Sequence, residues 1–249
     1  MRIEVALVPN LVYDVETKVC IAVDVLRATS TLVVLIERGV KEVVVCRRLA
    51  QARRLARLTH YVLCGEKDSV PPRDFDYGNS PTEFASLDLS GQSLILATSN
   101  GTSAIRQVAA AHAVLIGSLL NLKAVAAAAL TESAKDDRDI VIVCAGHGYG
   151  RYFSLEDTFV AGAIVDSLLA QAKAAELQPR LRNDALAALR LYRSYRGQAL
   201  ACFGDADHGR SLAELGLKHD LEFCARTDVS TVVPRLKASE DGLLRVIPG

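Results

Sequence analysis

The segment Val19–Gly39 contains a buried-strand pattern followed at once by a helical pattern. The run Val19–Val25 is apolar and rich in β-branched residues, which is typical of a strand that is buried on both faces of a sheet. A helical pattern then occupies Ser30–Glu37 and stops before Gly39. A strand that leads directly into a helix predicts a parallel α/β sheet.

The same alternation continues along the chain, so we predict an α/β fold with a mostly parallel sheet layered between helices. The predicted strands are Ile3–Val8, Val19–Val25, Val43–Cys46, Tyr61–Cys64, Ser93–Thr98, Ala113–Ile116, Ile140–Cys144, Thr231–Leu236 and Leu243–Ile247. The predicted helices are Ser30–Glu37, Leu49–Leu58, Thr102–Ala110, Leu122–Ser133, Leu155–Ala172, Asn183–Arg193 and Asp207–Leu215. One domain over residues 1–249 is expected, although the pattern changes after Ala172 and leaves open a second lobe from about residue 173 to 249.

The charge balance gives no general signature of a nucleic-acid or membrane partner. Lys+Arg and Asp+Glu number 29 each, so the formal net charge is zero. The basic run Arg47–Arg57 has the spacing of the solvated face of an amphipathic helix, although a nucleic-acid patch is the alternative. A small-molecule partner is therefore expected, with a homo-oligomer left open.

The distribution of apolar and cysteine residues indicates a cytoplasmic protein. Arg2 and Glu4 interrupt any signal peptide, and no apolar run approaches the ~20 residues that span a bilayer. The six cysteines are widely spaced, and several lie in strand-like runs where cysteine behaves as a small hydrophobe. We expect reduced core thiols rather than a disulfide or zinc framework.

The first candidate site is the turn after the strand Val19–Val25. It combines an acid, a guanidinium and three hydroxyls: Asp24, Arg27, Thr29, Ser30 and Thr31. An aspartate at a strand end can hold Mg²⁺ or act as a nucleophile, and an arginine can bind a phosphate with two hydrogen bonds. The hydroxyls can donate to anion oxygens, but they can also simply cap the next helix while Asp24 and Arg27 form an ion pair.

A second turn of the same kind follows the strand Ser93–Thr98. Its residues are Thr98, Ser99, Asn100, Gly101 and Thr102. Gly101 would let the backbone approach a ligand, and nearby N–H groups could hold an anion. The alternative is a tight capped turn without a ligand.

A third strand, Ile140–Cys144, leads into a glycine-rich loop that ends at Arg151, and Ser154, Glu156 and Asp157 come next. Glu156 and Asp157 could be metal ligands, or Ser154 and Asp157 could form a capping box. His147 is either a general acid or an ordinary loop side chain. Six residues separate Cys144 from Arg151, one more than in a tyrosine-phosphatase loop, which argues against a thiolate nucleophile.

Two further segments carry polar residues of interest. The irregular stretch Glu66–Pro81 contains carboxylate and amide oxygens that suit Mg²⁺, including Asn79, although solvated acids are the alternative. Arg210, in the run Asp207–Arg210, could place a cation over the site, but capping explains Asp207 equally well.

Taken together, these segments resemble the 2-phosphosulfolactate phosphatase family. The matching stretches occur in the family's order and span nearly the whole chain: Asp24–Thr31, Asp76–Pro81, Thr98–Thr102, Cys144–Gly146, Ser154–Thr158, Ala161–Gly162, Tyr192–Tyr195, His208–Arg210, Leu215–Gly216 and Asp220–Cys224. Each stretch is weak evidence alone, but the ordered set is specific. The segment Lys67–Arg73 departs from the expected pattern because it is less glycine-rich.

The resemblance implies a phosphatase that uses Mg²⁺ to hydrolyse 2-phospho-3-sulfolactate to 3-sulfolactate and phosphate. In methanogens this step belongs to coenzyme M biosynthesis, but members also occur in bacteria that do not make coenzyme M, so a related small 2-phospho acid is equally open as the substrate. Such a substrate carries several negative charges, which Mg²⁺ and arginine would neutralise.

We therefore assign expected roles to individual residues. The catalytic candidates are Asp24, Arg27 and His147. The metal-binding candidates are Asp24, Glu156 and Asp157. The substrate-binding candidates are Thr29, Ser30, Thr31, Asn79, Ser99, Asn100, Gly101, Thr102, Arg151 and Arg210.

The nature of the nucleophile stays open at this point. Covalent aspartyl phosphatases usually carry a second aspartate two residues after the nucleophile, where this chain has Leu26, so direct attack by water is favoured. A non-catalytic module that binds an anion or a nucleotide on the same turns is the main alternative, and a thiol-dependent phosphatase using Cys144 is a weaker one.

Overall fold

The computed structural model describes residues 1–98, 100–239 and 241–249. Within these residues, ten strands form one sheet: β1 (Arg2–Ala6), β2 (Val19–Val23), β3 (Glu42–Cys46), β4 (Val62–Gly65), β5 (Ser93–Ala97), β6 (Ala113–Gly117), β7 (Ile140–Cys144), β8 (Arg180–Leu181), β9 (Arg235–Ala238) and β10 (Leu244–Ile247). The α-helices of the same residues are α1 (Ala28–Glu37), α2 (Leu49–Thr59), α3 (Pro81–Phe84), α4 (Gly101–Gln107), α5 (Leu122–Ala134), α6 (Leu155–Ala174), α7 (Asn183–Ser194), α8 (Ala199–Asp205), α9 (Asp207–Glu214) and α10 (Lys218–Cys224).

The sheet order is β4-β5-β3-β10-β9-β6-β2-β7-β1-β8. In one parallel group, β6, β2, β7, β1 and β8 pair side by side. Val23 at the end of β2 pairs with Gly117 of β6 and with Cys144 of β7. Because these strands end in register, the turn after β2 lies beside the turn after β7.

The strands β4, β5 and β3 form a second parallel group. Ala97 at the end of β5 pairs with Cys46 of β3 and with Gly65 of β4. The amide of Thr98 donates to the carbonyl of Cys46 at 3.1 Å, and the amide of Glu66 donates to the carbonyl of Ala97 at 3.0 Å. The turns after β4 and β5 are therefore also neighbours.

The C-terminal hairpin of β9 and β10 joins the two groups. Strand β10 is antiparallel to both β3 and β9, and β9 is antiparallel to β6. These antiparallel pairings connect β3 of one parallel group to β6 of the other. The last strands of the chain thus lie near the middle of the sheet.

Helices cover both faces of the sheet. The side chains of β2 show this, because successive residues of a strand point to opposite faces. Val19, Ile21 and Val23 pack in a cluster with side chains of α5, α6 and α7. The intervening residues Cys20 and Ala22 pack on the other face, in clusters that include side chains of α4 and α1. The predicted layered α/β fold with a mostly parallel sheet is confirmed.

Helix α1 packs against both parallel groups. Its residues Leu32 and Leu35 share a buried cluster with Val43 of β3, Leu94 of β5 and Ile116 of β6. The helix that begins after the Asp24 turn is therefore anchored at the junction between the groups.

The structure adds elements that the sequence patterns did not predict. These are the two-residue strand β8 and the short helices α3, α8 and α10. The six cysteines are all buried and free. In the part of the chain that the structure describes, no helix combines the length and the apolar character needed to cross a bilayer. The extent of the domain stays a prediction.

Candidate active site

A pocket of about 240 Å³ lies where the turns of the two parallel groups meet. It receives residues that follow β2 and β7 from one group, residues that follow β4 and β5 from the other, and residues of α9. The lining consists of Asp24, Leu26, Arg27, Glu66, Asp68, Ser69, Asn79, Thr98, Asn100, His147, Gly148, Tyr149, His208 and Ser211. The pocket has the size of a small metabolite and a strongly polar wall.

Asp24 lines this pocket, and the residue is 7% exposed. Its Oδ1 accepts a weak hydrogen bond from the amide of Ala28 at 3.4 Å. Burial raises the pKa of Asp24 to about 7, and the negative charges of Glu66 and Glu156 contribute to this rise. The hydrogen bond from the Ala28 amide lowers the pKa and so opposes the shift. A further cation beside Asp24 would favour the ionised form of this carboxyl.

Arg27 is also buried, and it lines the same pocket. Its Nη1 donates to Oδ2 of Asp220 at 2.8 Å, and its Nη2 donates to the carbonyl of Ser69 at 2.9 Å. A guanidinium has five N–H donors, so these two bonds leave others for a ligand in the pocket.

The three hydroxyls after Arg27 build the turn and do not line the pocket. Thr29 Oγ1 accepts from the amide of Asp24 at 3.1 Å, and Ser30 Oγ donates to the carbonyl of Val25 at 2.9 Å. Thr31 Oγ1 donates to the carbonyl of Asn79 at 3.4 Å. All three are buried and bond to backbone groups, which favours a structural role over substrate binding. None of them caps α1, which begins after Arg27 without a side-chain cap bond, and Arg27 pairs with Asp220 rather than with Asp24.

The turn after β5 contributes Thr98 and Asn100 to the pocket, while Ser99 lies outside the described residues. Asn100 Oδ1 accepts from the amide of Tyr149 at 2.9 Å, which joins this turn to the loop after β7. Thr102 Oγ1 donates to the carbonyl of Cys46 at 3.2 Å and does not line the pocket. Gly101 lies against Asp24, because an added Cβ would be 2.9 Å from Asp24 Oδ2.

Asn79 lines the pocket with an unsatisfied polar atom. Its side chain is 4% exposed, and its Oδ1 is the one buried side-chain polar atom that lacks a hydrogen-bond partner among the described residues. A buried carbonyl oxygen without a partner is costly, so a donor or a cation at this point would stabilise it.

Two histidines flank the pocket, with ring centroids 6.2 Å apart. His147 is exposed at the mouth, and His208 is half-buried on α9. Burial lowers the pKa of His208 to about 4, and the charges of Arg27 and His147 contribute to this fall. A hydrogen bond with the backbone of Leu26 has the opposite effect and raises the pKa. The lowered pKa favours a neutral imidazole at neutral pH.

The predicted metal ligands Glu156 and Asp157 lie behind the pocket and do not line it. Asp157 Oδ1 accepts from the amide of Val25 at 2.9 Å, and its Oδ2 accepts from the amide of Gly146 at 3.2 Å. Burial, then Asp24 and Glu156, raise the pKa of Asp157 well above its ordinary value. Both carboxylate oxygens thus tie the turns after β2 and β7 together, and the Asp157 amide is capped by Ser154 Oγ at 3.2 Å.

Three other candidates lie away from the pocket lining. Arg151 is exposed, and the exposed Arg210 donates to Asp207 and to the carbonyl of Asp205. The structure therefore does not bring these arginines together with Asp24. Cys144 is fully buried, and burial raises the pKa of its thiol well above the ordinary value, which disfavours a thiolate nucleophile.

Comparison with known proteins now identifies the family. The family model described as 2-phosphosulpholactate phosphatase matches residues 7–239. A probable 2-phosphosulfolactate phosphatase of Thermotoga petrophila is 35% identical over 222 residues, which cover 89% of this chain and 90% of the relative. A protein of the same description from Caldanaerobacter subterraneus is 34% identical over 237 residues, 93% of this chain and 92% of the relative.

The chain belongs to the 2-phosphosulpholactate phosphatase family. The resemblance stated from the ordered motifs is confirmed. So is the prediction of an enzyme that hydrolyses phosphoric monoesters, since the family and its curated members are described as phosphatases.

The donor atoms of this family member fit a hard cation such as Mg²⁺. Among the residues that the structure describes, no group of three or more His, Cys, Asp or Glu side chains forms a ready-made metal cage. Mg²⁺, however, is usually held by one or two carboxylates together with water and substrate phosphate. Asp24, Glu66 and the unpartnered Oδ1 of Asn79 present oxygen atoms of that kind at the pocket wall.

Three residues that contribute to the site were not among the predicted site residues: Glu66 and His208 line the pocket, and Asp220 lies beside it. His208 lies within the matched stretch His208–Arg210, in which only Arg210 is predicted to bind substrate. Asp220 lies within the matched stretch Asp220–Cys224 and contacts Arg27 from 193 positions away. The position of Asp220 in a family motif indicated a functional residue. Its contact with Arg27 depends on where the tertiary fold puts α10, and the sequence does not show that.

Proposed function

We propose that this protein is a Mg²⁺-dependent phosphatase that hydrolyses 2-phospho-3-sulfolactate, or a related small 2-phospho acid, to the 2-hydroxy acid and phosphate. The observation that carries the proposal is a buried carboxylate, Asp24, and a buried guanidinium, Arg27, on the wall of one small polar pocket. Family membership supports the reaction class, and the description of the relatives as probable 2-phosphosulfolactate phosphatases suggests the substrate.

Asp24 is the residue that we propose to hold the metal, with Glu66 and Asn79 as further oxygen donors. The raised pKa of Asp24 marks a site where a cation would favour the ionised carboxylate. When bound, Mg²⁺ neutralises charge on the phosphoryl oxygens and acts as a Lewis acid. Glu156 and Asp157 are not assigned as ligands, because Asp157 is bonded to backbone amides and neither side chain lines the pocket.

The remaining residues bind and orient the substrate. The N–H groups of Arg27 that are not bonded to Asp220 or Ser69 donate to the phosphoryl oxygens, whose charge shifts in the transition state. Asn100 lines the same pocket from the turn after β5, and its side-chain NH2 group donates to the second anionic group of the substrate. Thr98 supports this turn from the pocket wall, because its hydroxyl donates to Thr102 Oγ1. The assignment of Asn100 replaces Arg151 and Arg210, which lie away from the lining.

Proton transfer is assigned to the two histidines. His147 lies at the exposed mouth, where it can give a proton to the leaving oxygen of the 2-hydroxy acid. The lowered pKa of His208, about 4, keeps its imidazole neutral at neutral pH, and a neutral ring that lines the pocket can accept a proton from the attacking water. Leu26 occupies the position of the second aspartate of covalent aspartyl phosphatases, so attack by water is proposed rather than attack by Asp24.

Phosphate release from a panel of 2-phospho acids tests the proposal. Wild type and Asp24→Asn are assayed with Mg²⁺ and with a chelator, and Asp166→Asn is the matched control because Asp166 pairs with Arg193 away from the pocket lining. We expect chelator or Asp24→Asn to lower the rate by a factor on the order of 10³ or more, with the control near wild type. Full activity in chelator, or in a folded Asp24→Asn protein, would overturn the assignment.

The cytoplasm is the location that we propose. Six free, buried cysteines fit a compartment that keeps thiols reduced.

A further inference from the structure

Asp220 is a fully buried carboxylate on α10 that the proposed reaction does not use. Its Oδ2 accepts from Nη1 of Arg27 at 2.8 Å, and its Oδ1 accepts from Oγ of Ser80 at 2.6 Å. A single side chain from the last quarter of the sequence thus contacts both the Asp24 turn and the end of the irregular segment before α3.

The contacts of Arg27 fix the plane of its guanidinium. Asp220 binds Nη1, while the carbonyl of Ser69 accepts from Nη2 at 2.9 Å, so two acceptors from different elements hold the same rigid group. A planar guanidinium held at two points presents its remaining donors in one direction. Since Arg27 lines the pocket, those donors are directed by contacts made outside it.

The second carboxylate oxygen of Asp220 binds Ser80, which follows the pocket residue Asn79. Ser80 is the N-cap of α3, and its Oγ also accepts from the amide of Glu83 at 3.2 Å. Asn79 precedes it and carries the buried Oδ1 that lacks a partner. The bond from Ser80 to Asp220 therefore fixes the turn that holds Asn79 at the pocket wall.

Burial alone does not explain this arrangement. An ion pair in the interior loses its hydration, and apolar residues of similar volume often stabilise a fold equally well. This buried pair also accepts a hydrogen bond from the Ser80 hydroxyl and orients an arginine of the pocket. The geometry that it imposes on the site explains it better than stability does.

We propose that Asp220 is a positioning residue for the phosphatase reaction, which orients the Arg27 guanidinium and the Asn79–Ser80 turn toward the substrate. This inference deepens the proposed function and rests on the role of Arg27 in it.

A double-mutant cycle tests the inference. Asp220→Asn keeps the shape and removes the charge, and Arg27→Lys keeps a charge that pairs with Asp220 but removes the planar fork. An ammonium group has no plane to orient, so the cost of Asp220→Asn must depend on Arg27. We expect Asp220→Asn to lower kcat/KM about 10-fold or more in the native background and less than about 3-fold in the Arg27→Lys background.

The controls separate orientation from general destabilisation. Glu132→Gln removes a comparable acid, which pairs with Arg235 at 2.6 Å away from the pocket lining, and it should leave kcat/KM unchanged. Inorganic phosphate is the binding probe, and its inhibition constant should rise in Asp220→Asn but not in Glu132→Gln. Urea unfolding of every variant establishes that the compared proteins are folded.

The outcomes distinguish this inference from the proposed function. If Arg27→Lys keeps full kcat/KM, the role of Arg27 in the proposed function fails. If Arg27→Lys is impaired but Asp220→Asn is equally costly in both backgrounds, only the positioning role fails. If Asp220→Asn does not fold, Ser80→Ala decides the matter, because unchanged kcat/KM in that variant would overturn the inference.

Discussion

At the scale of single residues, the pocket and the carboxylates beside it contain groups whose ionisation differs from that in water. Burial raises the pKa values of Asp24, Glu156 and Asp157, and it lowers the pKa of His208. Such opposed shifts within a few residues are characteristic of catalytic sites, because they keep acids protonated and bases free near neutral pH. They also link the stability of the fold to pH.

We predict that Asp24 makes the metal-free protein less stable as pH rises from about 4 to 7. Its pKa in the folded protein is about 7 against an ordinary value of 3.8, so the folded state retains a proton that the unfolded state releases. The stabilisation is complete below the ordinary pKa and is lost as pH passes the raised one. Urea unfolding in chelator measures the free energy of unfolding of wild type and Asp24→Asn.

The difference between these two free energies should fall with rising pH, with a slope that approaches about 1.4 kcal/mol per pH unit. The comparison with Asp24→Asn is needed because His208 acts oppositely: its lowered pKa gives stability that is lost as pH falls toward 4. The difference between wild type and Asp166→Asn should stay flat. A difference that is flat or rising for Asp24→Asn would contradict the account.

At the scale of elements, the site depends on how closely α4 begins to the Asp24 turn. Gly101 is the first residue of α4, and a Cβ there would be 2.6 Å from Cβ of Ala28 and 2.9 Å from Oδ2 of Asp24. Real Cβ atoms do not approach other atoms so closely, so the two turns fit together only because residue 101 has no side chain.

Gly101→Ala should therefore displace the Asp24 carboxylate and lower kcat/KM by a factor on the order of 100, since small displacements of catalytic groups have effects of that size. Gly204→Ala is the matched control, because Gly204 lies in α8 with no atom within 4 Å of an added Cβ. Steady-state kinetics and circular dichroism check the pair. Equal activity of the two variants would show that the close approach is unimportant.

The elements also show what the sequence could and could not predict. Ile140–Cys144 was predicted with its observed bounds, because a run of apolar β-branched residues has few other structures open to it. The turns after β2, β5 and β7 were predicted as site elements and do meet at one pocket. The hydroxyls of Thr29, Ser30 and Thr31 were assigned to substrate, although they bond to nearby backbone groups and build the turn. The sequence does not distinguish a hydroxyl that bonds to the backbone from one that binds a ligand.

Other elements were missed for physical reasons. Strand β8 has two residues and lies at the sheet edge, and α3 has four, so neither forms a full period of any pattern. The ion pair between Arg27 and Asp220 joins positions 193 apart, and such contacts depend on the tertiary fold. The insertion of β9 and β10 between the parallel groups likewise depends on pairing partners and not on local pattern.

At the scale of the whole molecule, the C-terminal hairpin makes the two parallel groups one continuous sheet. Val246 of β10 is fully buried and pairs with Val43 of β3 and with Leu236 of β9. The pocket uses turns from both groups, so its geometry requires that the groups stay joined. We infer that the chain unfolds as one cooperative unit rather than as two lobes.

Val246→Ala tests this cooperativity. The substitution should lower the free energy of unfolding by about 2–3 kcal/mol, because it removes two buried methyl groups at the junction. Strands β5 and β7 belong to different parallel groups. If both open only in global unfolding, native-state hydrogen exchange should show the same loss of protection for the slowest amides of each strand. Leu200→Ala, at a half-exposed position on α8, is the control and should change neither strand. A loss confined to one strand would mean that the groups unfold separately, and the pocket between them would then form only when two independent units dock.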